Sequence, residues 1–344
     1  MKKKILLAVV FLSVLNSCSS DSGDKPSNEP EEIKGEIKMD YKIDKPNNDF
    51  VVSSDNSVYI IGQEENVDYN IHLQKVDLTG KVTKLKSLSF SNFFNSILTI
   101  TSSDEVLLTS PFNVADTDKI YRFENNFLEL NSYYTMKLAS SPTASKSKMP
   151  AICNNNDKTY FVFDYNSKSI KRIVPELGTD VFVAGSGKEE IKDGKGLSAG
   201  FIGVSRIISL NNVLYVIDNK YDPATANYLN STIRKVEYIN NEWNVTTLIS
   251  STTNVYSDMA FDSKNDLYVL VYNKGLFKLD LQNNTLSAVK EGETKIGDSK
   301  KHETLDLQYA RVLKIKNNDM YLLDRYSALI KISNFQAKFE AASK

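Results

Sequence analysis

The stretch Ile207-Ile208-Ser209-Leu210-Asn211-Asn212-Val213-Leu214-Tyr215-Val216-Ile217, followed after a gap by Ile233-Arg234-Lys235-Val236, carries the reading of the whole chain. An apolar run ends in a polar turn, a second apolar run holds a Tyr, and a third alternates apolar with basic residues. Short runs bounded by Asn, Asp, Ser or Gly read as strands, and Asn tolerates the left-handed backbone of a tight hairpin. The phrase returns along the chain. Its Tyr-type strand reads Val58-Tyr59-Ile60-Ile61, Val106-Leu107-Leu108, Tyr160-Phe161-Val162-Phe163, Leu267-Tyr268-Val269-Leu270 and Met320-Tyr321-Leu322-Leu323. Its basic strand reads Leu73-Gln74-Lys75-Val76, Ile120-Tyr121-Arg122-Phe123, Ile170-Lys171-Arg172-Ile173, Leu276-Phe277-Lys278-Leu279 and Leu329-Ile330-Lys331-Ile332. Copies lie about fifty residues apart, the spacing of four-stranded propeller blades rather than of helical arrays.

A fourth strand follows the basic one, seen at Val82-Thr83-Lys84-Leu85, Thr246-Thr247-Leu248-Ile249 and Leu286-Ser287-Ala288-Val289. Helical periodicity is nearly absent. The expectation is therefore an all-β fold, a six-bladed β-propeller of four-stranded antiparallel blades. Inner strands packed between blades are apolar on both sides, so the basic residues of the third strands read as a solvated face. Residues 33–41 alternate like a strand and are placed to complete the last blade, whose own end, 335–342, is short and irregular. Closing the ring from both ends removes an exposed edge.

The start of the chain reads as an address. Lys2, Lys3 and Lys4 precede an apolar stretch, 5–15, too short to span a bilayer as a helix. Leu15-Asn16-Ser17-Cys18 resembles a bacterial lipobox, which implies cleavage before a lipidated Cys18; an ordinary secretory signal is the alternative. Residues 1–17 are then a signal peptide, and 18–32, rich in Ser, Asp, Pro and Glu, a disordered tether that cannot bury enough apolar surface to order itself. The acidic start Cys18-Ser19-Ser20-Asp21-Ser22-Gly23-Asp24 resembles surface-export signals of Bacteroidota lipoproteins, with a plain linker as the alternative. The address implies the cell envelope, with lipid anchoring to the outer membrane and display at the surface. Residues 33–344 remain for one large β domain.

Net charge is −1 with both signs interspersed, which argues against nucleic acid as a partner. With Cys18 spent on lipid, Cys153 has no partner for a disulfide and reads as a buried, inert thiol.

The segment Asp193-Gly194-Lys195-Gly196-Leu197-Ser198-Ala199-Gly200-Phe201, leading into the strands quoted first, resembles an NHL repeat over 192–236. Gly194 and Gly196 permit a tight crossing between blades, and Phe201 fills the space between them. The family's usual Pro before the inner strand is replaced by Val204-Ser205-Arg206, and the other copies keep only the strand signature. The resemblance implies an NHL-like or TolB-like propeller, an architecture that hosts scaffolds, binders, lactonases and lyases alike.

Propeller enzymes of that kind place metal ligands around the central channel, and this chain has two His. His72 reads as a surface or packing residue and His302 as a solvated member of a loop, 295–304. No metal or other cofactor is called for; a channel Ca2+ held by carboxylates and amides stays open. Aligning the residues that lead into inner strands brings together Val204-Ser205-Arg206, Tyr256-Ser257-Asp258 and Tyr309-Ala310-Arg311. Arg206, Asp258 and Arg311, with Tyr256 and Tyr309, are the candidate ligand-binding residues at the channel mouth, suited to an anionic or sugar ligand. A ring of mutual salt bridges plugging the channel is the competing reading. The insertion 220–230 suits contact with a partner, and Trp243 reads as packing on its own blade. The leading function is a tethered module that binds protein, peptide or glycan, touching membrane only through its lipid. A metal-dependent hydrolase or lyase is the alternative.

Overall fold

The computed structural model describes residues 36–37, 39–44, 47–63, 70–111, 116–137, 147–155, 158–222, 224, 227–298, 301–324 and 326–342, with backbone only at 36, 222, 227, 293–298 and 301–304. The signal peptide, Cys18 and the tether lie outside them. Residues 33–344 form one unit.

Six four-stranded antiparallel sheets make a six-bladed β-propeller. Blade I holds Asn47–Val52, Val58–Gln63, Asn70–Val76 and Val82–Ser89, and blade II Ile97–Ile100, Val106–Thr109, Lys119–Glu124 and Glu129–Thr135. Blade III holds Ala151–Asn155, Thr159–Asp164, Ser169–Val174 and Thr179–Ala184. Blade IV holds Val204–Leu210, Val213–Asp222, Asn227–Ile239 and Glu242–Ser251, with Gly194–Lys195 added at its outer edge. Blade V holds Val255–Phe261, Leu267–Tyr272, Gly275–Asp280 and Thr285–Glu291. Second strands are buried along nearly their whole length, as in Leu267–Tyr272, because neighbouring blades cover both faces. Outermost strands such as Thr285–Glu291 alternate towards solvent. The core therefore lies between blades: Tyr215 and Ile217 of blade IV pack with Tyr256, Met259 and Val269 of blade V.

The polar turns between first and second strands are joints. Asn211 and Asn212 (φ 51° and 64°) and Asn317 and Asn318 (φ 50° and 68°) take the left-handed backbone that a two-residue hairpin of this twist requires. Their side chains also cross between blades. Asn155 Nδ2 donates to Asn212 Oδ1 at 2.8 Å, the Ser54 amide to Asp104 at 2.8 Å, and Asn317 Nδ2 to Asn56 Oδ1 at 3.3 Å.

Blade VI, Val312–Lys316, Asp319–Leu323 and Leu329–Ile332, is completed by Tyr41–Ile43 from the other end of the chain, with Tyr41 opposite Lys331. Closure from both ends holds, but the closing strand lies later than the alternation of 33–41 suggests. Glu36–Ile37 instead runs parallel to Glu293–Asp298, which forms a hairpin with Lys301–Asp306. The expected loop at 295–304 is that hairpin, and His302 lies on its second strand, where only the backbone is described. The stretch 335–342 is the helix Phe335–Ala342: Phe335 and Phe339 share one face and are buried, Phe335 against Tyr268 at 5.1 Å between ring centres.

The Gly-rich turn behaves as read, with φ of 155° at Gly194 and 48° at Gly196, and Phe201 is fully buried against Phe163 of blade III. The solvated face needs correction. Lys75 and Lys278 do stand at the surface, but Arg234 has no exposure. It pairs with buried Asp218 at 3.2 Å and with Asp193 at 3.1 Å, donates to the carbonyls of Gly200 and Lys192, and lies over the Phe201 ring. The guanidinium fork satisfies several acceptors at once, which makes a buried cation tolerable and clamps the Gly-rich turn to its blade. Lys331 is likewise buried, between Asp319 and Asp40.

Candidate functional site

Three inner strands carry a β-bulge near their start, between Asn47 and Asp49, Val204 and Arg206, and Tyr256 and Asp258. An extra residue bends the strand and re-aims the side chain after it. Asp49, Arg206 and Asp258 thereby occupy one register position, opposite Ile61, Ile217 and Leu270. The same position holds Ile97, Ala151 and Val312 in the other blades. The three charges and Lys314 line a constriction of about 40 Å³ at one end of the channel.

Arg206 Nε lies 3.2 Å from Asp258 Oδ1, an ion pair without hydrogen-bond alignment at Nε. Asp258 is wholly buried. Its Oδ2 accepts the Leu313 amide of blade VI at 2.8 Å and lies 3.6 Å from Lys314 Nζ, while Oδ1 accepts the Met259 amide. Asp49 Oδ2 accepts the Leu98 amide of blade II at 2.9 Å. Each acid thus ties its blade to the next. Burial pushes the Asp49 carboxyl above its ordinary range, opposed by Lys314 and Arg206. For Arg206 burial works against the charge, yet Asp258 and Asp49 outweigh it and leave the guanidinium more basic than usual. The channel end is an internally balanced ion cluster.

The structure brings Arg206 and Asp258 together and separates Tyr256 from them. Tyr256 is fully buried between blades IV and V, its amide donating to Ser231 Oγ and its carbonyl accepting from Asn219. Arg311 precedes the shared register position by one residue. It is exposed and donates to the Asn47 carbonyl and to Ser327 Oγ, joining blade VI to blade I. The covered part of its side chain, and next the nearby Arg206 charge, hold Arg311 below the ordinary guanidinium value. Asp49 and Lys314 were not legible in the alignment of inner-strand starts, although Asn47-Asn48-Asp49 has the form of Tyr256-Ser257-Asp258 and signals the same bulge.

Beside this plug stands an aromatic rim. Within the insertion, Lys220–Asp222 and Asn227–Asn230 continue the pairing of the second and third strands of blade IV, with Tyr221 opposite Tyr228. Their rings meet at 5.3 Å, and Tyr221 (50%), Tyr228 (44%) and Leu229 (45%) are exposed. Tyr272, at the corresponding turn of blade V, is 50% exposed and meets Tyr309 at 5.6 Å. Burial, with smaller contributions from Tyr221 and Tyr272, pushes the Tyr228 phenol upward, so the pairs are neighbours. The Asn273 amide donates to the Gln308 carbonyl at 2.7 Å, fixing that turn against the short helical turn Leu307–Tyr309.

Beyond the constriction the channel widens to about 340 Å³ between the inner strands of all six blades. Cys153 lies there, its thiol pushed by burial up to about 12. His72 is buried in blade I with Nδ1 3.1 Å from Ser87 Oγ, a packing position. Trp243 packs on its own blade against Tyr238 and also across it, on Phe161 of blade III.

This architecture places the chain among β-propeller proteins. No protein-family model matches it, and no curated protein does. Solved structures share its fold. A virginiamycin B lyase from Staphylococcus aureus is 15% identical over 86% of this chain and 99% of its own, at a TM-score of 0.51. An auxiliary nutrient binding protein from Bacteroides thetaiotaomicron is 10% identical over 87% and 76%, at 0.54. A puromycin hydrolase is 8% identical over 81% and 50%, at 0.50. Identities this low establish the common fold and nothing of the chemistry.

Proposed function

We propose that the chain is an envelope lipoprotein, anchored to the outer membrane through Cys18, whose propeller binds a protein, peptide or glycan at the mouth face. The tyrosine cluster carries this reading. Tyr221, Tyr228, Tyr272 and Tyr309 come from three separate segments, and Tyr309 stands two residues before Arg311. Clustered aromatic rings supply large contact area at low entropic cost, and an exposed group of them marks an interaction surface. The charges of Arg206, Asp258, Asp49 and Lys314 satisfy one another, so their part is to hold the blades that present the rim. The nutrient-binding neighbour is in keeping with this reading at the level of fold alone.

The test compares the wild-type protein with a Tyr221→Ser, Tyr228→Ser, Tyr272→Ser variant, on glycan arrays and in pull-downs from envelope extracts. The expected result is a wild-type partner or glycan whose retention drops at least about tenfold in the variant. Equal retention by both would overturn the reading.

A further inference from the structure

Away from the mouth face, near the turns between first and second strands, blades III and IV part to leave a cleft of about 450 Å³. That is within the size range of small-ligand pockets, about 300–1,000 Å³. Phe161, Trp243 and Tyr238 give it aromatic walls, with Tyr238 57% exposed. Arg172 faces the same cleft, as do Thr159 and Asn212. Asn155 fixes Asn212 by donating to its Oδ1 at 2.8 Å and is itself held by Ser209 Oγ, which turns the Asn212 amide nitrogen into the available donor.

Arg172 is the blade III copy of the third-strand cation that every blade carries. Elsewhere that cation is neutralised: Lys75 by Asp55 at 3.8 Å, Arg122 by Glu124 at 2.5 Å, Lys235 by Glu237 at 2.6 Å, Lys278 by Asp266 at 2.6 Å and Lys331 by Asp319 at 3.3 Å. Among the described residues Arg172 has no carboxylate partner. The cause is local. Glu105, Asp266 and Asp319 stand two residues before the strand residue that pairs with the cation, and in blade III that place is taken by Thr159. Among the described residues, one blade of six therefore presents a guanidinium without a carboxylate on an aromatic cleft.

We infer that this cleft binds an acidic saccharide, with the carboxylate of a hexuronic acid unit on Arg172 and its ring face on Trp243 and Tyr238. A guanidinium suits a carboxylate through two parallel hydrogen bonds, aromatic walls suit the apolar face of a pyranose ring, and Asn212 and Thr159 suit its hydroxyls. The site is independent of the tyrosine rim and stands or falls separately.

Trp243 is the sole tryptophan, so its fluorescence reports on the cleft directly. The full-length protein is titrated with trigalacturonate, and with galactotriose as the neutral counterpart. The expected result is a saturable change with the acidic sugar, at least about tenfold weaker with the neutral one and in Arg172→Gln. A second variant, Thr159→Asp, restores the missing carboxylate at the surface and is expected to abolish binding with the melting temperature unchanged. No saturable change in the wild type, or equal binding of both sugars, or full binding by Thr159→Asp, would each overturn the inference. The Tyr221, Tyr228, Tyr272 variant is expected to retain the signal in full.

Discussion

Arg206 of blade IV and Asp258 of blade V meet at 3.2 Å at the narrow end of the channel, and Asp258 has no exposure to solvent. The acid also accepts the amides of Leu313 and Met259, so it joins three blades. Asp258→Ala takes a carboxylate from two cations, Arg206 and Lys314, and the acceptor from two amide donors, and a loss of about 3–5 kcal/mol is expected. Arg206→Met leaves Asp258 still paired with Lys314 and is expected to cost clearly less. Urea denaturation at neutral pH measures both; equal losses would sink the account of Asp258 as the joint.

Arg234 is expected to matter more than any other third-strand cation. Arg234→Ala strands the buried Asp218 carboxylate, which among the described residues keeps the amides of Ile202 and Gly203 as donors. The expected loss is about 3–5 kcal/mol. Arg234→Lys rescues the charge but not the fork that reaches Gly200, Lys192 and Asp193, so a partial recovery is expected. Lys278→Ala, at the surface, stays within about 1 kcal/mol of wild type. Comparable denaturation midpoints for all three variants would contradict the clamp.

Ring closure depends on Tyr41–Ile43. Tyr41 is buried in the core shared by blades VI and I, beside Gly80, whose φ of +84° brings the chain against its side chain. Tyr41→Ala is expected to cost about 3 kcal/mol through the cavity it leaves. A chain beginning at residue 47 exposes the edge of Leu329–Ile332 and is expected to aggregate, whereas one beginning at residue 33 does not. Light scattering on heating distinguishes the two.

Cys153 predicts an alkaline effect. Its pKa rises from 9.0 to about 12 on folding, because burial favours the neutral thiol. A raised folded value means that its stabilising contribution is complete below pH 9 and is lost as pH rises from there to about 12. By pH 11 the loss approaches about 3 kcal/mol. Tyrosines such as Tyr134, also raised by burial to about 12, share that window, so the readout is a difference. Cys153→Ala is expected to lose less stability than wild type between pH 8 and pH 11. In the native wild type at pH 8 the thiol should react with disulfide reagents far more slowly than after denaturation.

Much of this molecule was legible as sequence because its strands are short, local and repeated. Period, apolar content and Asn-rich turns are set by neighbours in the chain, so blade count, strand order and the left-handed turns at Asn211-Asn212 and Asn317-Asn318 follow from composition and spacing. The convergence of Arg206 and Asp258 also followed, since equivalent positions of a ring converge, but the sequence left open whether they meet a ligand or each other. What pattern could not decide depended on single-residue register and on contacts across blades. One-residue bulges put Asp49 into the cluster and sent Tyr256 into the core, and the lack of one in Val312–Lys316 left Arg311 outside the shared register, because the side-chain period of a strand is two. Arg234 and Arg172 both read as basic members of a third strand, yet they take different register positions, Arg234 opposite Val216 and Arg172 opposite Phe161. Only the folded sheet, by setting Asp218 of the neighbouring strand beside Arg234 and Thr159 two residues before the partner of Arg172, made one a clamp and left the other, among the described residues, without a carboxylate.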